Sequence, residues 1–192
     1  TPANNDDSDF TLTVTATSTD GSDTADTVDT IDVTVNAVAD APSLTVSNAS
    51  GNEDEAIALT ISSALTDASE VLSIVVSGVP TGASLNNGTD NGDGSWTLIS
   101  ADLTGLTITP ANNDDSDFTL TVTATSADGS DTADTVDTID VTVNAVADAP
   151  SLTVSNATGN EDEAIALSIS SALTDASESL SIVVSGVPAG AS

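Results

Sequence analysis

The sequence predicts an all-β protein built of β-sandwich domains joined end to end. Three observations carry that reading. Apolar residues alternate with polar ones at period two, with Gly, Asn, Asp and Pro between the runs. No stretch has a helical period. The whole pattern recurs after 108 residues, so that residues 1–84 match residues 109–192 with five differences: Thr19/Ala127, Ser50/Thr158, Thr60/Ser168, Val71/Ser179 and Thr81/Ala189.

A repeat of this length is large enough to fold as a domain, whereas solenoid repeats are shorter and cannot bury a core alone. Asp40-Ala41-Pro42 and Asp148-Ala149-Pro150 each follow a strand-like run and read as linkers. Residues 1–41 are then the C-terminal part of one repeat, 42–149 a complete repeat and 150–192 the N-terminal part of the next. The chain is expected to be a piece of a much longer one.

Within the complete repeat the strands are justified in order. SLTVSN (43–48) opens it. EAIALTIS (55–62) sets Ile57, Leu59 and Ile61 against polar neighbours, and VLSIVVSG (71–78) places Leu72, Ile74 and Val76 on one face. A short strand is expected near Ala83–Asn86. GTDNGDGSW (88–96) reads as a hairpin turn leading into SWTLI, which offers Trp96 and Leu98. DFTLTVTAT contributes Phe118, Leu120, Val122 and Ala124, and TIDVTVNAV contributes Ile139, Val141 and Val143. Seven short strands in one unit indicate a sandwich with one apolar face per sheet.

Composition narrows the function. There are 31 acidic residues and no Lys, Arg or His, a formal charge of −31. Nucleic acid and anionic lipid need a positive surface and are excluded as partners. Leu, Ile, Val and Phe number 45 of 192 residues, just above the range where high charge gives disorder. Such a chain is expected to fold fully only when something supplies positive charge. Without Cys or His, the usual zinc, copper and haem ligands are missing, and oxygen ligands suited to Ca2+ remain. Nucleophilic triads are likewise excluded, and a single Trp per unit argues against a glycosidase cleft, so an enzyme is not expected. No apolar run is long enough for a membrane span.

The acidic clusters are the candidate sites. NNDDSD brings Asp6, Asp7 and Asp9, and in its second copy Asp114, Asp115 and Asp117, into four positions. Like charges so close repel unless a cation holds them; the alternative is a solvated turn. Glu53, Asp54 and Glu55, repeated as Glu161, Asp162 and Glu163, are a second candidate cluster, with a charged strand edge as the alternative. The alternating Thr11, Thr13, Thr15 and Thr17 suit an exposed strand better than a ligand face.

Three stretches resemble cadherin-type repeats: FTLTVTATSTDG (10–21), TIDVTVNAVADAPSL (30–44) and NEDEAIAL (52–59). The chain is still more similar to the cadherin-like tandem repeats of giant type I-secreted bacterial adhesins of the RTX group. NEDEAIAL, the LTD-x-S-E segment, SGVP-x-GA, GDGSWTL, L-x-GLTITP and VADAP occur in that family's order. The resemblance implies Ig-like Greek-key sandwiches with Ca2+ bound where one domain meets the next. It places Glu53 and Glu161 at the basal Glu position. Asp40 and Asp148 fall in the linker with Asn36 and Asn144, and Asp67 and Asp175 in the following domain beside Glu70 and Glu178. On this basis Asp148 and Glu161 are expected to act together at one junction. The implied function is a calcium-stiffened extender at the bacterial cell surface, whose partners are its neighbouring repeats. Rival readings are a structural filament associating laterally, and repeats that themselves grip a glycan or host ligand.

Overall fold

The structure, a computed structural model, describes residues 1–3 and 5–191, and these form an all-β protein. The first hairpin pairs β1 (Phe10–Asp20) with β2 (Asp23–Val33). A complete domain follows. Its opening strands are β3 (Ser43–Ser47), β4 (Ala49–Asn52), β5 (Ile57–Ala58), β6 (Thr60–Ala64) and β7 (Val71–Ser77). Next come β8 (Ser84–Leu85), β9 (Thr89–Asp90), β10 (Ser95–Leu98), a 3-10 turn at Ser100–Leu103 and β11 (Thr107–Thr109). The long strands β12 (Phe118–Asp128) and β13 (Asp131–Asn144) close the domain. Beyond it β14 (Ser151–Val154) pairs with β15 (Ile169–Ala172).

The domain's main layer is a six-stranded sheet in the order β4-β13-β12-β7-β10-β9. The pair β3-β6 and the triplet β5-β11-β8 make the opposing layer. Period-two alternation decides which side chains meet between the layers. Ile74, Val76, Leu98, Leu120, Val122 and Ile139 come from the main sheet, and Ile57, Ile61, Leu85 and Ile108 from the other. Each buried aliphatic of this kind contributes roughly 1.5–3 kcal/mol. Trp96 and Phe118 flank this core and are only partly buried.

The expected segments all form strands, with three differences. EAIALTIS divides at Leu59 into β5 and β6, whose partners lie in different sheets. Three short strands, β4, β9 and β11, add to the expected set. Among the described residues the 3-10 turn is the one helical segment, held by the Asp102 carboxylate accepting from the Ile99 N–H at 2.9 Å. The expected hairpin before Trp96 is present: β9 pairs with β10, and Asp90 and Asp93 accept from the Gly92 and Ser95 N–H groups.

Two features position the site. The β12–β13 hairpin turns through Gly129-Ser130, with Gly129 at φ +59°, a conformation glycine takes without strain. Its tip carries Asp128 and Asp131. At the other end of the domain, β13 runs out along β4, from Val141 opposite Ala49 to Asn144 opposite Asn52, and leads into the second linker.

Candidate functional site: the carboxylate-lined junctions

The two linkers are built alike. In the first, the Asp40 N–H donates to Glu70 at 2.6 Å and Asn5 Nδ2 donates to the Asp40 carboxylate at 3.1 Å. In the second, the Asp148 N–H donates to Glu178 at 2.5 Å and Asn113 Nδ2 donates to Asp148 at 2.8 Å. Thr66 and Thr174 hydroxyls donate to the carbonyls of Ala41 and Ala149. Asp9 and Asp117 each accept from the backbone just before the linker, at the N–H of Val35 and Val143, both at 2.8 Å. Asn5 and Asn113 adopt left-handed backbone, φ 58° and 56°, a conformation Asn tolerates better than most residues.

Each junction also reveals contacts that the other does not. On the first, the hairpin tip of the complete domain reaches back to the preceding linker. The Ala39 N–H donates to Asp131 at 3.0 Å, the fully buried Ser126 hydroxyl donates to the Asp40 carbonyl, and Thr135 donates to the Pro42 carbonyl at 2.6 Å. On the second, the Val146 N–H donates to Glu53 at 2.6 Å, and the Asn113 N–H to Asp54 at 2.9 Å. A chain without basic side chains thus uses linker amides to hold its carboxylates. Such charge-assisted bonds are stronger than neutral ones.

Between the NNDDSD loop, the first linker and the complete domain lies a cavity of about 500 Å³. Asp6, Asp7, Asp40, Asp67 and Asp128 line it, with Asn5 and Asn36. Burial pushes the Asp128 carboxyl above its ordinary value, and the charges of Asp7, Glu70, Asp67 and Asp131 add to the effect. Serine two residues on holds Asp6, Asp67, Asp114 and Asp175 below their ordinary value by hydrogen bonding, through Ser8, Ser69, Ser116 and Ser177 respectively. Glu70 is 5% exposed, and its Oε2 is buried without a hydrogen-bond partner. A buried carboxylate oxygen left unpaired is costly, and a cation or a water would satisfy it. Among the described residues, no three acidic side chains are drawn into metal-ligand spacing. The residue types and the orphaned Glu70 oxygen fit a hard cation.

The remaining predicted residues divide clearly. Glu55 and Glu163 accept from Asn52 and Asn160 within their own turns, at 3.3 and 3.1 Å. Asn144 donates to the Gly51 carbonyl, and Asp115, Glu161 and Asp162 are exposed. The pairing of Asp148 with Glu161 needs correction. Glu53, buried in the turn after β4, rather than the exposed Glu161, meets this linker, at Val146, because the parallel β4–β13 pair brings the start of the domain to its end. Sequence reasoning missed Asp128, Asp131 and Ser126. A two-residue Gly-Ser turn between two long alternating runs was the available signal, since it places both aspartates at a hairpin tip.

No protein family has a profile that matches the chain, and no curated protein matches it. Among solved structures, an endo-fucoidan hydrolase of glycoside hydrolase family 107 is similar over 90% of this chain and 30% of its own, at 15% identity and a TM-score of 0.30. The chain therefore spans about a third of that protein's length. A likeness this slight carries no argument about chemistry. No described helix is long and apolar enough to cross a membrane.

Proposed function

We propose that the chain is part of a calcium-stiffened extender, a row of sandwich domains that holds a distal binding region of an extracellular bacterial adhesin away from the cell surface. The observation that carries this reading is the buried, unpartnered Glu70 Oε2, beside Asp67 and Asp128 in a chain with no basic residue. Bound calcium would supply the positive charge and oxygen coordination that the site lacks. Asp7, Asp40, Asp67, Glu70 and Asp128 would hold it at the first junction. At the second, Asp148, Asp175 and Glu178, the repeats of Asp40, Asp67 and Glu70, would hold it together with Glu53. These residues come from two domains and the linker between them, so a shared ion fixes the angle between domains. Linkage then favours the folded, aligned state by mass action. Extracellular sites of this type have a Kd of about 10⁻⁴–10⁻³ M, which suits a chain that stays loose inside a cell and stiffens outside.

Small-angle scattering tests the proposal. Calcium should lengthen the maximum dimension and sharpen the rod-like profile, and chelation should reverse both. Glu53→Gln combined with Asp148→Asn should blunt the response while the complete domain stays folded. A profile indifferent to calcium would overturn the reading.

A further inference from the structure

The two linkers have one sequence, NAVADAP at 36–42 and again at 144–150, and each shows the contacts of a different side of a junction. Laid on one another, they account for the backbone of a whole junction. On the side of the preceding domain, Glu53 accepts from the Val146 N–H at 2.6 Å, and the Asn144 carbonyl accepts from the Glu53 N–H at 3.0 Å. On the side of the following domain, Asp131 accepts from the Ala39 N–H and Glu70 from the Asp40 N–H. The Ser126, Thr66 and Thr135 hydroxyls donate to the carbonyls of Asp40, Ala41 and Pro42. Val146 and Ala147 repeat Val38 and Ala39. We infer that every junction is divided at this one peptide: the folded unit runs from Ala39 to Val146, and the peptide joining valine to alanine is the entire hinge between units.

Ala39–Val146 is 108 residues, the period of the repeat, so consecutive units abut with no residue left over as a linker. Domain boundaries more often fall in exposed stretches that few contacts cross. Here a planar peptide leaves two soft rotations, ψ of the valine and φ of the alanine. Neither residue is Gly, so both rotations stay within the ordinary regions. A side-chain bond also crosses the hinge. The Asp148 N–H is bound to Glu178 of the following repeat, while the Asp148 carboxylate accepts from Asn113 of the preceding one. The same arrangement recurs at Asp40, between Glu70 and Asn5. It is a latch that needs no cation. The length of a row is then set by the number of units, because there is no slack between them to draw out.

Amide exchange of the 192-residue chain, followed residue by residue by NMR in chelator, tests this. The identical linkers supply their own controls, because Val38 and Ala147 donate to no partner among the described residues. The Val146 N–H should exchange about tenfold or more slowly than the Val38 N–H, and the Ala39 N–H should lag the Ala147 N–H by a similar factor. Glu53→Ala should erase the protection at Val146 and spare Ala39, and Asp131→Ala should do the reverse. Trp96, the single Trp, should give the wild-type fluorescence in both variants. If Glu53→Ala loses that signal, the exposed Asp131 carries the test through its own variant. Equal exchange at Val38 and Val146, and at Ala39 and Ala147, overturns the proposal, since the linker would then belong to neither neighbour. So does protection at Ala39 that survives Asp131→Ala. No calcium is present in this experiment, so its result stands apart from the calcium reading, which scattering tests.

Discussion

Glu70 and Asp128 show how much a single carboxylate does in a chain with no basic partner. Glu70→Gln keeps an acceptor for the Asp40 N–H and removes the buried charge. Calcium affinity at the first junction should fall at least tenfold, read by isothermal titration, while stability in chelator rises or holds. Unchanged affinity would remove Glu70 from the site. The pH response follows from the directions of the shifts. Asp128 has a raised pKa in the folded state. Between its ordinary and raised values the folded chain binds more protons than the unfolded one, so this group's contribution weakens as pH rises through that window. Asp6, Asp67, Asp114 and Asp175 are shifted down, so the stability they contribute is present above 3.8 and is lost as pH falls through their lowered values. In chelator, mild acid should therefore shorten the distance between domains before stronger acid loosens the turns. A dimension that stays constant with falling pH until unfolding would count against repulsion at Asp128. At this scale the sequence disclosed which residues are acidic and clustered. It did not disclose that Glu53 serves the later linker, because that pairing depends on a contact 93 residues away.

The β12–β13 hairpin is the element that joins fold to site. Its inner side supplies Leu120, Val122 and Ala124 to the core, and Ser126 continues the same face beneath the linker. Ser126→Ala would strand the Asp40 carbonyl and should cost about 1–2 kcal/mol, measured by urea unfolding followed at Trp96. Amide exchange should quicken at Ala39 and Asp40. A loss near zero would mean that water replaces the hydroxyl at no cost. The long strands were legible because alternation over seven or more residues leaves little choice of face. The two- and three-residue strands β5, β8, β9 and β11 were legible only in part. A pattern needs several periods to show, and these strands exist because neighbours already in place accept them.

For the whole molecule, the excess of negative charge sets the response to ions. Melting should rise markedly in millimolar calcium and much less in sodium chloride of equal ionic strength. Screening by salt acts on all carboxylates alike, whereas a shared ion acts only where Asp40, Glu70 and Asp128, or Glu53, Asp148 and Glu178 at the second junction, can converge. Equal shifts from the two salts would reduce the effect to screening. The charge excess behind this prediction is legible in composition alone. The division of the first junction among a loop of one domain, a linker and the hairpin tip of the next required the fold.

The parallel pairing of β4 with β13 gives the domain a direction of strength. Tension enters near Ser43 and leaves through Asn144, so it draws these two strands past each other along their length. The bonds between Val141–Asn144 and Ala49–Asn52 are then loaded together, and the Glu53 N–H adds a further bond to the Asn144 carbonyl at 3.0 Å. A hairpin pulled from its open end would instead lose its bonds singly, each in turn. The seam that brings Glu53 to the linker would therefore also be where the domain resists being pulled apart between its two ends.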